Sequence, residues 1–165
     1  MGVEAYISFK GDKQGTFRGN TRQNGTHPWK SSVLAAWFEF GVQTPVDFIN
    51  GSYATGRRRH QPISIRKEVD PASPQLFQAL VTNETLSSVI EITKAGKVGK
   101  PNYTLNLTGG HVLGIKHLPT TPKGTNHLQG HDKWEEEEIS LTFREIVVTW
   151  NDGGIGMKDD WTSKT

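Results

Sequence analysis

Six histidines, a run of four glutamates and three consecutive arginines are the residues of this 165-residue chain with the most chemistry to offer. His111 and His117 share the parity of one predicted strand, so they point to one face, as two metal ligands would. Six residues at about 3.4 Å each place them roughly 20 Å apart, too far to share an ion. The close His-x-His pair that many metal-binding barrels use is missing, and His127, His131 and Asp132 lie in a loop with no rigid element to hold them. Glu135, Glu136, Glu137 and Glu138 alternate across a strand with no apolar residue between them to raise a carboxyl pKa into the range of a general acid. The expectation for this run is a solvated strand entrance. "GGIG" at 153–156 lacks the strand–loop–helix setting of a phosphate cradle, and no Gly-x-Ser-x-Gly elbow occurs. With no cysteine in the chain, disulfides, thiolate zinc sites and thiol nucleophiles are excluded. These residues predict no catalytic, cofactor or metal site, and a metal-binding barrel enzyme is kept only as the minor alternative.

Arg57, Arg58 and Arg59 admit three readings: a nucleic-acid contact, a pocket for an anionic substrate, or a contact between copies of the chain. The net charge of +2 is far below the basic excess of a protein that lives on phosphate backbones. Single-strand binding also wants aromatics among the charges, and Tyr53 is the only one nearby. No nucleic-acid partner is therefore expected. An exposed basic turn is the plain reading. The alternative is an acidic surface on a second copy, for which Glu135 to Glu138 supply the opposite charge.

The elements that carry these residues are mainly strands. Period-2 patterns occur at 4–9, 33–40, 62–69, 87–94, 102–108, 111–118 and 136–150, as in Tyr103-Leu105-Leu107 or Ile63-Ile65. Gly109-Gly110 reads as a tight hairpin turn between two of them. In the last strand the apolar parity switches from Ile139, Leu141 and Phe143 to Ile146, Val148 and Trp150. An inserted residue near Arg144-Glu145, or a passage between two environments, must absorb that switch, and a β-bulge is the simpler account. One short helix is predicted at about 73–83. Asp70 or Ser73 would cap it, Leu76, Phe77, Leu80 and Val81 would form its buried stripe, and Asn83 would end it. Two connections are long, 41–60 and 119–133. The first carries Phe48 and Ile49, which either form an exposed contact patch or fold back onto their own barrel. The whole chain reads as a single domain, 1–165, built as a curved antiparallel β-barrel with a flanking helix and extended loops.

Two further signals concern location. No apolar run approaches the roughly 18 to 20 residues that would cross a bilayer, so no membrane insertion is expected. The start "MGVEAYISFK" carries no basic segment followed by an apolar one. The expectation is a protein made in the cytoplasm that, if exported, leaves without a signal peptide.

"TGRRRHQPISIRKEVDPASPQLFQAL" at 55–80 resembles the signature segment of the hemolysin-coregulated proteins (Hcp), the tube subunits of bacterial type VI secretion systems. "AYISFKG" resembles the first strand of that family, and "EISLTFREIVVTWNDGG" with the later "DDW" resembles its closing strands. The resemblance implies a small barrel that assembles into hexameric rings stacked as a hollow tube. That tube would sit inside a contractile sheath beneath a spike protein, be ejected through the secretion system, and carry small effector proteins in its lumen. Together with the opposite charge clusters and the apolar 41–60 connection, it leads to the expectation that Phe48, Ile49, Tyr53, Arg57, Arg58, Arg59 and Glu135, Glu136, Glu137 and Glu138 belong to contacts between subunits or rings. A phage-type tail-tube protein poses the same packing problem and is the alternative within the structural class. No fused toxin domain of the kind some relatives carry is expected after Trp161.

Overall fold

Alternating apolar residues form the strands that the sequence predicts. The computed structural model describes residues 3–19, 32–51, 53–54, 56–94, 101–118 and 135–162. In chain order these hold β1 (Val3–Gly11), β2 (Gly15–Thr16), β3 (Ser32–Glu39), β4 (Val42–Gln43), β5 (Val46–Asp47), β6 (Tyr53–Ala54), β7 (Arg59–His60) and β8 (Ile63–Glu68). The helix α1 (Ala72–Val81) follows, then β9 (Leu86–Lys94), β10 (Tyr103–Gly110), β11 (Val112–Leu118), β12 (Glu136–Leu141), β13 (Glu145–Trp150) and β14 (Ile155–Asp160). The main sheet is antiparallel throughout, in the order β11-β12-β8-β3-β1-β9-β10-β13-β14, with β2 paired to β1. One face of each strand enters the core. Ile7 and Phe9 meet Val33, Ile63, Ile65, Ile139 and Leu141 from one half of the sheet and Ile90, Leu105, Leu107 and Ile146 from the other. Each such aliphatic side chain, fully buried, stabilises the fold by about 1.5–3 kcal/mol.

The sheet curves round the core by a corner. β10 pairs with β13 and β11 with β12, and the chain passes directly from β10 to β11 and from β12 to β13. The four strands are thus one two-stranded ribbon with a bend in it. At the bend the Thr142 N–H donates to the His111 carbonyl and the Arg144 N–H to the Thr108 carbonyl, both at 2.9 Å. One half of the ribbon joins β8 and the other joins β9, so the bend brings the two ends of the sheet together. Among the described residues no ladder links β11 to β14.

This corner settles one expectation, in favour of a strand bend over a bulge, and corrects another. Residues 136–150 are two strands separated by 142–144, so the parity switch just before Glu145 marks a passage between two halves of the barrel, with Phe143 buried inside it. Gly109-Gly110 is not a hairpin turn, because β10 and β11 do not pair with each other. Gly109 takes φ +65°, and a Cβ on Gly110 would stand 2.2 Å from the Thr142 carbonyl oxygen, so the corner needs both glycines.

The helix runs over Ala72–Val81 rather than 73–83. Asp70 Oδ1 accepts from the Ala72 N–H at 2.9 Å, and Asn83 at φ 52° ends the helix in the left-handed region. Its buried stripe is Ala72, Leu76 and Ala79, whereas Phe77 and Val81, expected inside, are 60% and 69% exposed. Glu84, just past the helix, accepts the N–H groups of Lys13 and Gln14 at 2.6 and 2.8 Å and ties the β1–β2 turn to it. No helix among the described residues is long and apolar enough to cross a membrane.

Beneath the helix start lies a charged cluster that the sequence does not announce. Lys67 on β8 is fully buried, and its Nζ stands 2.6 Å from Asp70 Oδ1 and 2.7 Å from Glu137 Oε1. It also donates to the Glu68 carbonyl at 2.9 Å and to Ser73 Oγ at 3.0 Å, while the Ser73 hydroxyl donates to Glu137 at 2.5 Å. Lys67 and Glu137 are directly opposite in the β8–β12 ladder.

Candidate functional site

The 41–60 connection is a two-tiered β-ribbon, not an irregular loop. The Gln61 N–H donates to the Gly41 carbonyl at 2.8 Å and closes its base. Above that, β4 pairs with β7 (Val42↔His60, Gln43↔Arg59) and β5 with β6 (Val46↔Ala54, Asp47↔Tyr53). We call this ribbon the arm. Asp47 builds the turn at its tip. Its Oδ1 accepts from the N–H groups of Ile49 and Asn50 at 2.9 and 3.3 Å, and its Oδ2 accepts from Asn50 Nδ2 at 2.7 Å. The Asn50 side-chain bond, with the two backbone bonds behind it, holds the Asp47 carboxyl below its ordinary pKa. Gly51, at φ 99°, supplies the left-handed residue of the turn.

That turn presents two bare hydrophobes. Phe48 is 82% exposed and Ile49 is 93% exposed, so neither folds back onto the barrel. Val42 and Val46 on the arm are exposed as well. The Tyr53 side chain lies outside the described residues, although its backbone is in the β5–β6 ladder.

The three arginines divide. Arg57 and Arg59 are exposed, but Arg58 turns to β14. Its Nε donates to Asp159 Oδ2 at 2.5 Å, one Nη donates to Asp159 Oδ1, and the same Nη reaches the Asp160 carbonyl at 3.1 Å. His60 Nε2 shares the same carboxylate, 2.6 Å from Asp159 Oδ2. The imidazole stacks on Trp161 (centroids 5.4 Å, 26° between planes) and meets the edge of Phe143 at 5.2 Å. Chiefly because of the Arg58 fork, the Asp159 carboxyl is held down at about 2.

The four glutamates divide too. Glu135 is exposed at the mouth of β12, and its carbonyl accepts from the Val69 N–H at 2.8 Å. Glu136 is half-buried, and Glu138 reaches Arg66 at 3.5 Å, the guanidinium in turn lying over Trp37 at 5.7 Å. Glu137 is only 1% exposed and inside the Lys67 cluster. The reading of the run as wholly solvated is corrected there: strand alternation within β12 aims Glu137 inward between Glu136 and Glu138, and Lys67 waits opposite. The structure does not bring the arginine and glutamate runs together within one copy.

His111 lies just before β11 and His117 near its end, and among the described residues no three His, Cys, Asp or Glu side chains gather as a metal-holding group. His127, His131 and Asp132, with the whole 119–133 connection, fall outside the described residues. Sequence reasoning missed His60, Asp159 and Trp161 as a unit. The available signal is strand parity, which puts Arg58 with His60 on one side and Asp159 with Trp161 on another, but nothing local pairs the two sets. It also missed β14, whose "IGMKDD" carries only Ile155 and Met157 as large apolar residues, too short an alternation to mark a strand.

Comparison with known proteins bears on what such a barrel is for. The family model described as "Type VI secretion system effector, Hcp" matches residues 6–150. The Major exported protein of Pseudomonas aeruginosa is 33% identical over 179 residues, covering 99% of this chain and 98% of that one. Among solved structures, the secreted protein Hcp3 of Pseudomonas aeruginosa has a TM-score of 0.71 at 28% identity, over 98% of this chain and 100% of its own. Hcp1 of the E. coli EAEC 042 pathovar has a TM-score of 0.78 at 24% identity, over 97% and 99% respectively, a likeness of fold. A match over nearly the whole barrel, with the arm and helix inside it, favours neither a phage-type tail-tube protein nor a metal-binding enzyme. The chain belongs to the Hcp family and is a tube subunit of a type VI secretion system.

Proposed function

We propose that this subunit forms hexameric rings and that the arm carries the contact by which one ring engages the next in a hollow tube. The observation that supports this most directly is the tip: Phe48 and Ile49 are bare, yet Asp47 and Gly51 hold them in a defined turn. A soluble surface that fixes two large apolar side chains in water is built for a partner. Tyr53 belongs to the same contact. Arg57 and Arg59 face Glu135, Glu136 and Glu138 of a neighbouring copy, Glu137 being buried within its own chain. The tube is assembled in the cytoplasm, within a contractile sheath and under a spike protein, and small effector proteins travel in its lumen. Its role is structural, with no catalysis by the barrel.

The double substitution Phe48→Asp with Ile49→Asp tests the arm. Both side chains are solvent-exposed, so the variant is expected to melt within about 0.5 kcal/mol of the parent in stability. Native mass spectrometry is expected to show six copies for the parent, and negative-stain microscopy of the variant should show stacked rings lost, with secretion lost in parallel. Normal stacking by the double variant would remove the arm from the contact.

A further inference from the structure

We propose that Asp159, on the last strand of the sheet, is the positioning residue of the arm: it latches the base of the ribbon through Arg58 and His60 and so fixes where the tip points. The arm alone is weak. Its two ladders are two residues each, and an isolated two-stranded ribbon is at best marginally stable in water. Support from outside must stiffen it, and among the described residues one such contact is a single carboxylate on β14. That carboxylate accepts the Arg58 fork on both oxygens and shares one of them with His60.

The apolar side of the latch is equally specific. His60 is enclosed between the Trp161 face and the Phe143 edge, and the rings of Phe143 and Trp161 meet edge-on at 6.1 Å. Phe143 sits in the corner of the barrel, and the Trp161 N–H donates to the Arg144 carbonyl at 3.0 Å. Arm base, corner and the turn after β14 therefore meet at one point. The neighbouring charges belong to other pairs, Arg144 with Asp160 at 3.7 Å and Lys158 with Glu145 at 2.9 Å. Because β14 lies at the sheet edge, laddered among the described residues to β13 only, losing the latch leaves the core ladders intact.

This inference rests on the arm being the inter-copy contact, so the test reads the arm and the assembly separately. The variants are Asp159→Ala and Arg58→Lys, the second keeping the charge while losing the fork. Hydrogen exchange of amides in 42–60, and the rate of trypsin cleavage after Arg57 to Arg59, report the arm, and the β1–β9 amides report the barrel. Loss of charge-assisted bonds of this kind is expected to speed arm exchange and cleavage at least about tenfold in Asp159→Ala, less in Arg58→Lys, with Asp159→Glu recovering part of the protection. The β1–β9 amides are expected to be unchanged, and stacking should fall. An arm that exchanges no faster in either variant overturns the latch, and so does a rise of the same size in the β1–β9 amides. A loosened arm on rings that still stack normally upholds the latch and counts instead against the arm as the ring contact.

Discussion

Two charged clusters in this barrel use the same chemistry to opposite ends. Lys67, Asp70 and Glu137 lie wholly inside, between β8, β12 and the start of α1. Arg58, His60 and Asp159 lie at the rim, with the Arg58 side chain 26% exposed. In the first, a compact ammonium is surrounded by acceptors from three elements, and removing any member strands charge in a dry core. In the second, a planar fork grips one carboxylate, and both partners keep an edge on water. The inner cluster joins the helix to the sheet. The outer one aims an appendage. What the contrast teaches is that burial, more than the identity of the ions, decides whether a charge pair holds the fold or positions something upon it.

The sharpest way to break the comparison is at its buried end. Lys67→Met keeps the stem and deletes the ammonium, leaving Asp70 and Glu137 without their shared cation. Denaturant unfolding is expected to show a loss of about 3–5 kcal/mol, with the midpoint falling for the whole barrel in one transition. A loss under about 1 kcal/mol would mean that water enters the cluster, and the contrast with the rim would collapse.

Between the two lies Glu91, half-buried on the outer face of β9 opposite Tyr6 on β1 and Thr104 on β10. Burial alone pushes its carboxyl up to about 7. The folded state then binds a proton that the unfolded chain has already released, so stability falls as pH rises from about 4.5 to about 7 and is flat beyond. The full shift corresponds to about 3 kcal/mol, and solvent screening of a half-buried group reduces that to about 1–2 kcal/mol. Glu91→Gln is expected to gain that amount at pH 8 and nothing at pH 4, measured by chemical denaturation at both. An equal gain at both pH values would assign the effect to packing rather than to the charge.

How much of this was legible follows from the range over which each signal acts. The strands were readable because alternation is local, and the helix because Asp70 and Asn83 mark its ends within a few residues. The corner was half readable: the parity switch announces a bend, but nothing local says that the Gly109-Gly110 pair turns at the same place, because what requires it is the Thr142 carbonyl, from a segment distant in sequence. The exposure of Phe77 and Val81 was not legible either, since a helix stripe is drawn without knowing which small residue, here Ala79, lets the sheet approach. The assembly residues fared the same way. Phe48 and Ile49 stand out as apolar residues in a long connection, whereas Asp159 acquires meaning only when the final strand returns beside the arm. Glu137 was hidden by its own neighbours, one glutamate among four, distinguished only by what lies across the ladder.

The smallest effect is also the one that separates the latch from the contacts beyond it. Arg57 and Arg59 are exposed, and ion pairs they make with the glutamates of a neighbouring copy are each worth about 0 to 1 kcal/mol. Salt shortens the screening length from about 10 Å at 0.1 M to about 3 Å at 1 M, so those pairs weaken while Arg58 and Asp159, in direct contact, are affected far less. Raising salt over that range is expected to lower the ring-to-ring association constant by no more than about tenfold, because the pairs set register more than strength. Hydrogen exchange of the arm in the free subunit should not move over the same range. The two readings come apart cleanly if both are followed in one titration, by light scattering for the stacks and mass spectrometry for the arm. Salt-dependent binding of the subunit to random single-stranded DNA at micromolar affinity would reassign Arg57 and Arg59 from a protein neighbour to phosphate. An arm that loosens in step with the stacks would instead show that the rim pair is as screened as the surface ones, and that burial at 26% exposure is not enough to set Arg58 apart.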